Sequence, residues 1–273
     1  MIQKGVILIE KIYKTIGDIK LSLKIYRPAD WQESNSRAAV IFFFGGGWVG
    51  GTIDHFKLQS EYLAEHGMIA ITADYRVESR HGTSPLECVK DGKTAVAWVK
   101  NHCDELGIDP ERIAVGGSSA GGHVAASTVL IPDKKILNNT IQESVSSIPS
   151  AMVLCNPVLD TSENGYGAEK LRKIKPSEKF EDWTEQLSPF HHLHGNIPPT
   201  IIFHGTDDNT VPFKNAQDFT DKMKKMGNQC TLFQYEGQEH GFINIERDKD
   251  IFYDTLKKME EFFISLGYIS KKN

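Results

Sequence analysis

Ser119 stands in the middle of Gly117-Ser118-Ser119-Ala120-Gly121, a G-x-S-x-G pattern. A short apolar run, Ile113 to Val115, precedes it, and a helix-forming run, Gly122 to Leu130, follows. Strand, sharp turn and helix in that order hold a serine hydroxyl at the tip of the turn. Gly117 and Gly121 leave out the Cβ atoms that so tight a turn would crowd. The helix that starts beside Ser119 points free N–H groups at any oxyanion that develops there. A hydroxyl needs a base to act as a nucleophile at neutral pH. His240, in Glu236-Gly-Gln-Glu-His-Gly-Phe242, is the candidate. The base in turn needs a carboxylate to fix its tautomer and stabilise its cation. Asp207 and Asp208 both offer one, in the segment His204 to Pro212, and being adjacent they are not separable on residue type alone. The order Ser, Asp, His is the one expected when the serine sits on such an elbow. Gly45-Gly46-Gly47 can supply free N–H groups that complete an oxyanion hole with the N–H of Ala120. A phosphate-cradling role for these glycines fails, because no G-K-[ST] follows.

These residues need a scaffold, and the pattern of the chain describes one. Val6–Tyr13 and Ile19–Tyr26 flank Gly17-Asp18, and the second run alternates apolar and polar, which predicts an antiparallel hairpin with one solvated face. Ala38–Phe44, Met68–Ala73, Ala151–Cys155, Pro199–Phe203 and Gln229–Tyr235 are apolar, β-rich runs. Continuous apolar strands of this kind belong to a parallel sheet buried on both faces. Helical patterns over His55–His66, Pro85–Cys103, Phe213–Met226 and Arg247–Leu266 lie between and after them, with Asp109–Arg112 a turn and Val77–Thr83 a loop. Strands alternating with helices predict an α/β fold built of βαβ units, with an antiparallel edge from the hairpin. Ligands in such open sheets bind at the carboxyl ends of the strands. The chemistry-bearing residues all follow strands. The charged stretch Leu159–Gly195 predicts short helices packed over that edge.

Length and composition agree. The chain of 273 residues, 40% hydrophobic, is large enough for a substantial core, and one domain spanning residues 1–273 with a small cap-like insertion at about 159–195 is expected. With a net charge of −5 and no Lys/Arg stripe, no nucleic-acid partner is expected. No run reaches the ~18 apolar residues that span a bilayer, so no membrane partner is expected. The four cysteines form no C-x-x-C pair and read as buried free thiols in a reducing compartment. The amino-terminal apolar run is short and lacks a small-residue cleavage site. A cytoplasmic location follows as the expectation, or a secreted or periplasmic one where a leader has been removed. His191, His192 and His194 cluster, but without a supporting carboxylate or an i, i+4 pair they predict no metal site.

Taken together the motifs resemble those of the α/β-hydrolases, and within them the hormone-sensitive-lipase-like and acetylxylan/feruloyl-esterase-like (BD-FAE-like) branch. The resemblance runs from Ala38 to Phe242. Phe44-Gly45-Gly46-Gly47-Trp48 matches H-G-G-G-W except at its first position, and Gly117 to Gly122 matches the elbow. Asp74-Tyr75-Arg76 matches D-Y-R, His204 to Pro212 matches H-G-x-x-D-x-x-V-P, and His240-Gly241-Phe242 matches H-G-F. The resemblance implies a Ser119, Asp208 and His240 triad, so it selects Asp208 over Asp207. It implies oxyanion donors at Gly46, Gly47 and Ala120, and a carboxylic ester hydrolase that needs no metal or cofactor. Phe44 departs from the family's usual His, which puts the rigidity of the glycine loop in question.

The substrate expected is a small soluble ester, with short-acyl esters and acetylated or feruloylated sugars as the classes implied. Trp48 and Asn156 are the expected substrate-binding residues, and Trp48 and Trp183 the expected sugar-stacking surfaces. A homodimer is one expected assembly. Two other functions share the motifs: a serine peptidase of the prolyl-oligopeptidase type, which lacks the Gly45-Gly46-Gly47-Trp48 loop, and a non-catalytic binding protein. A true lipase would want a broad apolar lid, and Leu159–Gly195 is too charged for one.

Overall fold

The computed structural model describes residues 5–133, 148–163, 165 and 183–271. Residues 164 and 166–182 of the Leu159–Gly195 insertion, and the Trp183 side chain, lie outside the described residues.

Strands β1 (Val6–Ile16) and β2 (Ile19–Pro28) form the expected hairpin. Ile16 pairs with Ile19 across a two-residue turn in which Gly17 takes φ +55°. β3 (Arg37–Phe43), β4 (Ile69–Ala73), β5 (Ile108–Ser118), β6 (Ala151–Cys155), β7 (Thr200–Gly205) and β8 (Cys230–Tyr235) complete one sheet in the order β1-β2-β4-β3-β5-β6-β7-β8. β2 runs antiparallel to both its neighbours, and every other pairing is parallel. The Asp109–Arg112 turn is carried inside β5. The pairing with β3 jumps there from Arg37–Ile108 to Ala39–Ile113, so the extra residues bulge out of the ladder.

Side chains alternate across the sheet and divide the core in two. Ala39, Ile41 and Phe43 of β3 face α3 (Pro85–Asn101), α5 (Ala120–Leu130) and α7 (Phe213–Lys225), while Val40 and Phe42 face α1 (Lys57–Glu65) and α8 (Lys249–Ser265). Shorter helices are α2 (Glu78–His81), inside the expected Val77–Thr83 loop, α4 (Cys103–Leu106) and α6 (Trp183–Gln186). Ser84 and Glu87 form a reciprocal capping box at the start of α3, which satisfies N–H groups left free at a helix start.

α5 is the central helix, and all eleven of its residues are buried. His123, one of its three buried polar side chains, joins three parts of the fold. His123 donates from Nε2 to the Leu187 carbonyl at 2.7 Å and accepts the Trp48 indole N–H at Nδ1, at 3.2 Å. A carbonyl only accepts and an indole only donates, so the tautomer is forced. The elbow helix, the residue that follows α6 and the loop after β3 are thereby tied together. Burial pushes the His123 pKa down to about 4, so the folded state holds the ring neutral. Its contribution to stability is complete above the unfolded-state value of ~6.5 and falls as pH drops towards about 4. At pH 4.5 the loss relative to pH 7 is ~2.5 kcal/mol from this ring. Urea unfolding at the two pH values is the check: wild type loses that much more stability than His123→Gln, and parallel losses in the two proteins refute it.

Candidate active site

The elbow forms where β5 ends. Ser119 has φ +55° and ψ −120°, a conformation that costs a non-glycine residue ~1–3 kcal/mol. The turn closes only because its glycines are bare. A Cβ on Gly117 would lie 2.3 Å from the Gly121 carbonyl oxygen, and one on Gly121 would lie 2.2 Å from the carbonyl oxygens of Phe43 and Phe44.

The loops after β7 and β8 bring two further side chains to this point. His240 Nε2 lies 3.0 Å from Ser119 Oγ, and its Nδ1 lies 2.7 Å from Asp208 Oδ2. Asp208 is buried, and its Oδ1 accepts the backbone N–H groups of Thr210 at 2.9 Å and Val211 at 2.7 Å. Burial alone would raise its pKa. Hydrogen bonds from His204, His240 and the Val211 N–H outweigh that and hold the carboxyl well below the usual carboxylate range. Asp207 is exposed, and its side chain accepts from Thr206 Oγ1. The choice left open by residue type is therefore made by geometry: Asp208 meets His240. A hydroxyl bonded to an imidazole that is held in turn by an ionised carboxylate can lose its proton while attacking a carbonyl carbon.

Gly46 and Gly47 have φ +138° and +62° and line a cleft of about 420 Å³ together with Ser119, His240 and Arg247. Ala120 lies under the cleft as the first residue of α5. Phe44 is held by packing in place of hydrogen bonding. Its ring stacks on Tyr75 at 4.0 Å, and the Tyr75 hydroxyl donates to the Phe44 carbonyl at 2.6 Å. The next N–H, that of Gly45, donates to His55 Nδ1 at 3.0 Å, and His55 Nε2–H donates to Asn244 Oδ1 at 3.2 Å. Burial lowers the His55 pKa, which preserves the bare Nδ1 that Gly45 needs. So an imidazole does secure the glycine loop, from position 55 instead of 44, and it links that loop to the segment after His240. His55 and Asn244 carried no sequence signal; Tyr75 lay inside a matched motif but had no assigned task.

Two expected substrate contacts are corrected. Trp48 is fully buried and does not line the cleft. Its φ of +61° turns the indole inward, where His123 takes its N–H. Asn156 is fully buried as well. Its Nδ2 is 3.3 Å from Ser118 Oγ and 3.4 and 3.3 Å from the two ring nitrogens of His240. Those nitrogens already have partners in Asp208 and Ser119, so the amide lies against the face of the ring.

Other features are remote or uninvolved. A larger hollow of about 760 Å³, bordered by Arg37, His66, Arg112 and Tyr268, contains none of the residues above. Among the described residues no group of three His, Cys, Asp or Glu side chains is placed to hold a metal. His191 instead contacts Ser188 Oγ at 2.9 Å and lies 3.7 Å from Asp160. All four cysteines are free and buried. Among the described residues no helix is long and apolar enough to cross a membrane.

This geometry can be set beside known proteins. A BD-FAE family model matches residues 23–223, and a dienelactone hydrolase family model matches residues 186–265. Among curated proteins the chain is 29% identical over 238 residues to a probable isoprenylcysteine alpha-carbonyl methylesterase of Arabidopsis thaliana, covering 80% of this chain and 48% of that protein. It is 27% identical over 231 residues to an esterase of Mycobacterium tuberculosis, covering 81% and 56%. The chain thus spans about half the length of these curated relatives. The solved apo form of esterase 2 from Thermogutta terrifontis is 42% identical with a TM-score of 0.90, covering 100% of this chain and 98% of that one. The same esterase solved with propionate bound is 43% identical with a TM-score of 0.89, covering 97% of each chain. Family model, sheet order and elbow agree: the chain belongs to the BD-FAE family of α/β-hydrolase esterases.

Proposed function

We propose that this protein is a carboxylesterase acting on short-acyl esters through an acyl-enzyme. The observation that carries the reading is the hydrogen-bonded series Ser119–His240–Asp208 at the carboxyl ends of β5, β7 and β8. Ser119 Oγ attacks the ester carbonyl as its proton passes to His240 Nε2. The oxyanion is taken by the N–H groups of Gly46, Gly47 and Ala120. Asp208 faces the imidazolium that forms. His240 then protonates the leaving alkoxide, and water, deprotonated by the same ring, releases the acid. Water is the second substrate, and the proton balance closes on His240.

A short acyl group is supported by the modest cleft beside Ser119 and by a relative: the Thermogutta terrifontis esterase has been solved with propionate and with butyrate bound. The acylated-sugar reading loses one of its two stacking surfaces, because Trp48 is buried. Ester over peptide hydrolysis is supported by the relatives above, which are named as esterases.

Hydrolysis of p-nitrophenyl esters from acetate to dodecanoate tests the reading. Rates fall steeply beyond short acyl chains, and Ser119→Ala loses ~10⁵–10⁶-fold. Asp208→Asn loses on the order of 10³-fold or more while Asp207→Asn stays within about threefold. Hydrolysis independent of Ser119 sinks the reading, and equal losses from the two Asp variants remove Asp208 from it. The same assay checks the glycine loop: His55→Leu frees the Gly45 N–H and lowers kcat by ~10-fold. A wild-type kcat in that variant would show that Tyr75 and packing hold the loop unaided.

A further inference from the structure

His204 opens the H-G-x-x-D motif, and the chemistry above leaves it without a task. It lies in β7, one residue before the strand ends, and is fully buried. Its Nε2 is 2.8 Å from the Val211 carbonyl oxygen and 3.2 Å from Asp208 Oδ2. Its Nδ1 is buried with no hydrogen-bond partner. The Val211 carbonyl can only accept, so Nε2 carries the proton and Nδ1 is bare. One N–H is then shared between Val211 and Asp208. The Phe213 ring meets the imidazole edge-on at 5.8 Å and packs against it.

Oδ2 is the same oxygen that accepts from His240. Asp208 therefore lies between two imidazoles, with backbone N–H groups on its other oxygen. The terminal torsion of an aspartate is soft, so its rotamer does not by itself fix the plane of the carboxylate. A second donor on Oδ2 does. A purely space-filling role explains the bare Nδ1 poorly. An unpaired buried acceptor is destabilising, and an apolar ring of the same size would avoid it. What the imidazole provides that such a ring cannot is the Nε2–H.

We propose that His204 is a positioning residue for the active site: its Nε2–H fixes Asp208 Oδ2 in the orientation that receives His240. This rests on the Ser119–His240–Asp208 reading. The test compares His204→Phe with His204→Gln, whose amide keeps an N–H donor, each alone and with Asp208→Ala. His204→Phe lowers kcat by ~10-fold with KM within about twofold, and His204→Gln recovers to within about threefold of wild type. In the Asp208→Ala background His204→Phe costs less than about twofold, because the group it acts through is gone. A wild-type kcat in His204→Phe, a Gln variant no better than Phe, or a loss that persists without Asp208 overturns the inference while leaving the triad standing. Loss of Ser119 dependence overturns both. If the Phe variant does not fold, ¹⁵N imidazole spectra of wild type and Asp208→Ala decide. The expected result is an Nε2–H tautomer whose proton moves upfield when Asp208 is removed. An Nδ1–H tautomer, or an unmoved proton, overturns the inference.

Discussion

The conformation of Ser119 sets the terms for everything around it. Its positive φ lets the chain leave β5 and enter α5 with no intervening loop, so the hydroxyl projects from the sheet edge beside the first N–H groups of a helix. The reversal brings α5 so close to the end of β3 that Gly121 sits against the carbonyls of Phe43 and Phe44. That contact fixes where the glycine loop begins. Paired side by side, β5, β6 and β7 set the distance from Ser119 to the loops that carry Asp208 and His240. Relaxing the elbow would cost more than one hydroxyl position, because three loops take their placement from it.

The glycine loop shows how a family feature can be lost in sequence and kept in physics. With Phe at position 44 the loop has no imidazole of its own at its start. His55 reaches the Gly45 N–H from the segment before α1, Tyr75 takes the Phe44 carbonyl, and His123 takes the Trp48 indole. Three polar groups of this stretch are thus paired by rings from different elements, and the Trp48 carbonyl accepts the Glu78 N–H. Burial keeps His55 and His123 neutral, and neutrality is what leaves Nδ1 free to accept in both. The loop's stiffness therefore depends on the dryness of the core beneath it as much as on its own residues.

Much of this was legible in the sequence, for identifiable reasons. Buried parallel strands are continuous apolar runs, so Ala151–Cys155 was bounded to the residue by its composition. Ser119, the Asp207–Asp208 pair and His240 stood out because each follows a strand and they come in the order Ser, Asp, His. Asp207 against Asp208 was undecidable by type, since neighbours in a turn differ only in where they point, and only the motif chose between them. Trp48 and Asn156 were misread for the same reason. Proximity to the elbow in sequence says nothing of direction, and a positive φ at both turns their side chains into the fold. His55 was one of ten histidines in a helical run, and its role exists only through contacts to residues 45 and 244.

Backbone strain at non-glycine residues is concentrated in one part of the molecule. Among the described residues four non-glycine positions have positive φ: Trp48, Ser119, Asn156 and Asn196. The first three lie around the elbow: Trp48 follows the glycine loop, Ser119 tips the elbow and Asn156 backs His240. Two of the nine buried side-chain polar atoms without partners among the described residues, Asn156 Oδ1 and His204 Nδ1, lie in the same region. Each backbone outlier costs ~1–3 kcal/mol, and each unpaired buried acceptor about as much. A fold of marginal net stability keeps such terms only where surrounding packing over-determines them. Here that packing is α5, buried at every residue, and the apolar cores on the two faces of the sheet. The clustering of these backbone outliers around the elbow is an observation on the site that does not depend on the motif.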